Sequence, residues 1–164
     1  MRTLPFVVFL SIFGLFSVLA SPSPQGMQNA DIAVVGTWQL QSQDVRRADT
    51  GEVDTFQTTD KSVGWLMYDA SGRMAVQIDR RGWEPRSFYV AYFGKYSIDV
   101  KSGVVVHHVQ SGTVDSYLDT DQKRGFEVRD GGQTLVITVE RPGYDREQWP
   151  GAPMIRRLTW KRLH

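Results

Sequence analysis

Two adjacent histidines, His107 and His108, are the residues of this chain whose type and placement best suit proton-transfer chemistry. They sit in the apolar run Val104-Val105-Val106-His107-His108-Val109, which predicts a β-strand. Neighbours along a strand point to opposite faces. One ring therefore faces inward and the other outward. Either His108 shares the inner face with Val104 and Val106, or His107 shares it with Val105 and Val109. An imidazole in an apolar pocket can act as acid, base or hydrogen-bond donor near neutral pH, so both are catalytic candidates if the protein is an enzyme. The competing reading is a core histidine whose ring nitrogens are satisfied by neighbours, the usual state of a buried polar group. No metal site is expected. The two rings diverge, the third histidine is His164, and no HxH or HExxH spacing occurs.

A pocket needs walls as well as a reactive group. Trp65, Tyr68, Tyr92, Tyr96, Tyr117 and Trp160 are the aromatic candidates for lining one, since small-molecule sites are mostly apolar with a few placed polar groups. Tyr92 and Tyr117 stand out because they lie in or near irregular segments that would form a rim. Arg124, two residues before Phe126, is the charged candidate. An interior arginine needs a carboxylate or a ligand acid, because burying it alone is costly. Glu127 has the opposite parity along the strand and is not its expected partner. For each of these residues the alternative is plain core packing or, for Arg124, a solvated outer face.

The elements that must position these residues read as short strands. Val34 onward alternates, with Trp38 and Leu40 on one face and Gln39 and Gln41 on the other, to about Arg47. A weak strand is expected at Val53–Gln57. Val63–Tyr68 and Arg73–Asp79 form a hairpin about Asp69-Ala70-Ser71-Gly72. Ser87 is placed to cap a short helical turn through Phe88–Phe93. Two more hairpins join Lys95–Val100 to Val104–Gln110 and Lys123–Arg129 to Thr134–Glu140. Arg141–Pro153 reads as a long loop, and Arg156–Arg162 as the last strand. Eight or nine strands with one helical turn predict an all-β chain, most simply an antiparallel up-and-down barrel, with a β-sandwich as the alternative.

The chain has 164 residues, enough for one domain. Arg2 followed by the apolar run Leu4–Leu19 and the small residues Val18 and Ala20 reads as a secretory signal peptide cut after Ala20. The apolar run of about 16 residues falls short of the roughly 20 that span a bilayer, so no stable membrane anchor is expected after cleavage. Residues 21–33 form a lead-in rich in Ser, Pro, Gln and Gly, and 34–164 the barrel domain. Removing Arg2 with the leader leaves equal numbers of basic and acidic side chains. That gives no electrostatic case for nucleic acid or an anionic membrane as partner. There is no cysteine, which excludes thiol catalysis and disulfide support. No phosphate loop, dinucleotide fingerprint or Gly-x-Ser-x-Gly is present, so no cofactor is expected and a serine hydrolase is disfavoured.

Several motifs fall in a recognisable order: Gly36-Thr37-Trp38-Gln39-Leu40, Gly64-Trp65-Leu66-Met67-Tyr68 with Gly72-Arg73-Met74-Ala75-Val76-Gln77, Ala91-Tyr92-Phe93-Gly94-Lys95-Tyr96, Val106-His107-His108-Val109 and Arg124-Gly125-Phe126-Glu127. Together they resemble the lipocalin-like domain of many small bacterial and fungal proteins, over residues 34–163. The resemblance implies a small β-barrel in which Trp38 closes the base without touching ligand. It implies no single activity. Two functions follow as expectations. The first is a secreted or endomembrane-lumen protein that binds a small apolar molecule in its barrel. The second is a cofactor-free cyclase or isomerase of polyketide or terpenoid biosynthesis.

Overall fold

The computed structural model describes residues 33–54, 62–80, 89–144 and 150–163. The expected signal peptide and all but the last residue of the lead-in lie outside them. Eight antiparallel strands close into a barrel in chain order: β1 (Gly36–Arg47), β2 (Val63–Tyr68), β3 (Arg73–Asp79), β4 (Val90–Asp99), β5 (Val104–Gly112), β6 (Asp121–Arg129), β7 (Thr134–Tyr144) and β8 (Ala152–Arg162). β8 pairs with β1, so no strand is left with an open edge. Short 3-10 turns lie at Asp115–Tyr117 and Asp130–Gly132.

Two expectations about elements are corrected. Val90–Phe93 is the extended start of β4, not part of a helical turn. β-branched and aromatic residues pack well on a pleated sheet, and Tyr92 faces in while Phe93 faces out. The expected helix start at Ser87 lies outside the described residues. The supposed loop Arg141–Pro153 is shorter, because β7 continues to Tyr144 and β8 begins at Ala152. Of the weak strand at Val53–Gln57, Val53 makes a single bridge to Arg46, and residues 55–57 lie outside the described residues.

The two ends of the barrel differ. The turns 69–72, 100–103 and 130–133 gather at one end with the start of β1 and the end of β8. That end is sealed by Trp38, which is wholly buried. Its indole N–H donates to the Val34 carbonyl at 2.9 Å. The Arg162 guanidinium stacks over its ring at 4.1 Å and donates to the carbonyls of Ala33, Val35 and Gly132. Gly36 is required there: its φ is +146°, and a Cβ would sit on the Arg162 guanidinium. The Gly-x-Trp pattern thus has a direct steric cause.

Strand bulges set which residues face inward. In β1, Trp38 and Leu40 are buried, but Gln43 and Val45 are buried with the opposite parity. The register shift between Leu40 and Ser42 accounts for the switch. A second shift lies between Phe93 and Gly94 against β5. A Cβ at Gly94 would fall on the His108 carbonyl and 3.1 Å from the Gln110 nitrogen. Both are backbone atoms and cannot swing aside. Gly94→Ala is therefore expected to destabilise the barrel by about 1–3 kcal/mol or more, the range for overpacking. Urea denaturation of the variant beside the wild type measures this, and an unchanged midpoint contradicts it.

Candidate functional site

Above the sealed base lies a chain of polar side chains, each delivered by strand alternation. β5 buries Val105, His107 and Val109, so the inward histidine is His107, 2% exposed. Its Nε2 shares a 2.6 Å hydrogen bond with the Tyr68 hydroxyl, and its Nδ1 a 2.9 Å bond with the Tyr92 hydroxyl. β2 brings Tyr68 in and β4 brings Tyr92 in. A neutral imidazole has one donor and one acceptor nitrogen. One phenol therefore donates to the ring and the other accepts from it.

The electrostatics keep all three groups neutral. Burial pushes the His107 pKa down to about 3, with the positive charge of Arg124 adding to the effect. Burial raises the Tyr68 phenol well above its usual value, and raises Tyr92 as well, there opposed by the Arg124 charge. Arg124 lies on the inner face of β6, 7% exposed. It donates to the Lys123 carbonyl at 2.9 Å and to Gln122 Oε1 at 3.1 Å, and stands 5.6 Å over the Tyr117 ring. Tyr117 in turn meets Tyr92 edge-on.

His107, Tyr92, Tyr117 and Arg124 form part of the wall of a partly open cavity of about 140 Å³. The remaining wall is largely apolar, from Leu66, Val76, Ile78, Ile137, Leu158 and Trp160, and it extends to Arg80, Val114, Tyr117 and Arg156 toward the end opposite the base. An apolar cavity of this order accepts a single ring-sized molecule.

The expected site residues divide cleanly. His107, Tyr92, Tyr117, Arg124 and Trp160 come together around the cavity. Tyr68 is buried beneath it and reaches it only through His107. Tyr96 sits lower, edge-on to Tyr68 at 4.8 Å, with its hydroxyl donating to the Asp69 carbonyl in the β2–β3 turn. Two residues are corrected. His108 is on the outer face, where Nδ1 bonds Asp121 at 2.6 Å and Nε2 bonds Ser97 at 3.0 Å. Trp65 is 45% exposed on the outside of β2, beside Met67 and Phe93 in a shallow external groove. Both follow from parity: Tyr68 and Leu66 take the inner positions of β2, and His107 that of β5.

Arg80 and Arg156 were not among the expected site residues. The signal was present in the strand pattern. Arg156 shares parity with Leu158 and Trp160, and Arg80 with Val76 and Ile78. Arg80 and Arg156 both reach the cavity wall.

A closed eight-stranded antiparallel barrel with an apolar internal cavity defines the class. Residues 85–163, which include β4 to β8, match the lipocalin-like domain family. The fold is that of an all-β, lipocalin-like barrel. No curated protein matches the chain.

Proposed function

We propose that this is a secreted protein that binds a small apolar molecule inside its barrel. The observation that carries the reading is the internal cavity, walled mainly by aliphatic and aromatic side chains, with a few polar groups among them. The leader at residues 1–20 supports secretion.

The second reading, a cofactor-free cyclase or isomerase, draws on the Tyr68–His107–Tyr92 chain that reaches the cavity through Tyr92. A general acid or base works best with a pKa near the working pH. Here burial moves His107 down and both phenols up, away from neutrality. Both ring nitrogens of His107 are also occupied. These features favour a histidine that positions Tyr92 over one that exchanges protons with a substrate, and so favour binding over turnover.

Native mass spectrometry of the protein purified from its own host, before and after denaturation, tests the reading. A retained small molecule is expected, and its loss on denaturation gives its mass. A protein that is empty as isolated, and that also fails to take up small aromatic compounds with saturable 1:1 stoichiometry, contradicts it. Trp65→Ala serves as the control. Because its indole lies outside the barrel, affinity is expected to stay within about twofold, the scale of a surface substitution.

A further inference from the structure

Among the described residues, the charge inside this barrel is unbalanced. Arg124 is buried, and a guanidinium keeps its charge at any physiological pH. Its hydrogen-bond partners, the Lys123 carbonyl and the Gln122 side chain, are neutral. The Tyr117 ring faces it at 5.6 Å, and the Tyr92 phenol beside it is kept neutral by burial. Among the described residues no carboxylate pairs with it. A buried cation is ordinarily matched by an anion, and among the described residues no aspartate or glutamate lines this cavity. Arg80 and Arg156 line the same space, each with interactions of its own.

Resting on the ligand-binding reading above, we propose that the ligand is an apolar organic acid whose ionised carboxylate sits against Arg124. The carboxylate supplies the missing negative charge, and its acceptor-only oxygens suit a wall that offers guanidinium and phenol donors. The apolar body fills the space between Leu66, Val76, Ile137 and Leu158. The cavity volume matches one ring, so the acid group lies within a few bonds of a ring-sized apolar group, and anything larger extends toward the open end.

Calorimetric titration of the protein with phenylacetate and with phenylacetamide, its neutral counterpart of nearly equal shape, tests the proposal. The acid is expected to bind at least tenfold more tightly than the amide. In Arg124→Gln the acid is expected to lose its preference and bind no more tightly than the amide. Equal binding of acid and amide by the wild type overturns the carboxylate assignment and leaves the ligand-binding reading standing. Binding of neither, at concentrations where neutral toluene is also excluded, overturns both. An acid preference that persists in Arg124→Gln assigns the carboxylate elsewhere and overturns the role of Arg124. The wild-type comparison decides the ligand class even if Arg124→Gln does not fold, and Arg124→Lys, which keeps the charge, is expected to retain most of the preference.

Discussion

Trp38→Ala is expected to cost about 3–5 kcal/mol, the range for removing a fully buried large aromatic side chain, and to lower Tm by roughly 10 °C or more for a chain of this length. The indole is wholly buried. Its removal opens the base of the barrel. It also takes the donor from the Val34 carbonyl and the aromatic face from Arg162. Arg162 ties the entry of β1 to the end of β8 through the Ala33 and Val35 carbonyls, and holds the β6–β7 turn through Gly132, so the damage falls on the strand pair that closes the barrel. Trp38→Phe keeps most of the apolar surface and is expected to lose less, about 1–2 kcal/mol, chiefly from the unpaired carbonyl and the smaller ring. Chemical denaturation of the two variants separates these contributions. A loss below about 1 kcal/mol in Trp38→Ala, less than even a modest core truncation, contradicts the account of the base.

The second large effect is a dependence of stability on pH that originates at His107. The folded pKa is depressed to about 3, whereas an unfolded histidine titrates near 6.5. The unfolded state therefore binds the extra proton across this window, and stability rises with pH wherever that holds. Above about pH 6.5 neither state is protonated and His107 costs nothing. As the pH falls from there toward 3, the penalty grows by up to about 1.4 kcal/mol per unit, reaching roughly 2–3 kcal/mol at pH 4.5. Asp49 and Asp69 also have lowered pKa values, from partners on Arg47 and in the β2–β3 turn. Their losses have the same sign but fall below the ordinary carboxylate pKa of about 4. His107→Gln removes the titrating ring while leaving a donor and an acceptor. It is expected to be about 1–3 kcal/mol less stable at pH 7, because one amide cannot bridge both phenols as the ring does. It should lose little more between pH 7 and 4.5. Urea denaturation of both proteins at the two pH values measures the difference. Parallel losses in the wild type and the variant place the proton elsewhere.

Much of the fold was legible because one face of most strands is polar. In β1 the Gln39 and Gln41 positions separate outer from inner residues at sight, and the β2–β3 hairpin is marked by Asp69 and Gly72 at its turn. The site was less legible for a physical reason. In β5, Val104 to Val106 are apolar on both faces, so hydrophobic alternation could not choose between His107 and His108. The same holds in β2, where Trp65 and Met67 on the outside are as apolar as Leu66 inside. The deciding information is the pairing across the barrel: the Tyr68 and Tyr92 hydroxyls meet His107, and Ser97 and Asp121 meet His108. Bulges were not legible at all. The parity switch that buries Gln43 and Val45 depends on the β1–β8 register. At Tyr92 and Phe93 a local capping signal at Ser87 pointed to a helical turn, whereas strand pairing with β3 and β5 holds them extended.

The central claim is that ligand enters the barrel and does not settle on its outer groove. The indole N–H signals of the tryptophans in a ¹H–¹⁵N spectrum, followed while phenylacetamide or toluene is added, test it most directly. The Trp160 indole lines the cavity, and the Trp65 indole lies in the outer groove. Saturable movement of the Trp160 signal, with Trp65 and Trp38 unmoved, is the predicted result. Movement of Trp65 alone, or of none of the three at saturating ligand, would contradict the claim.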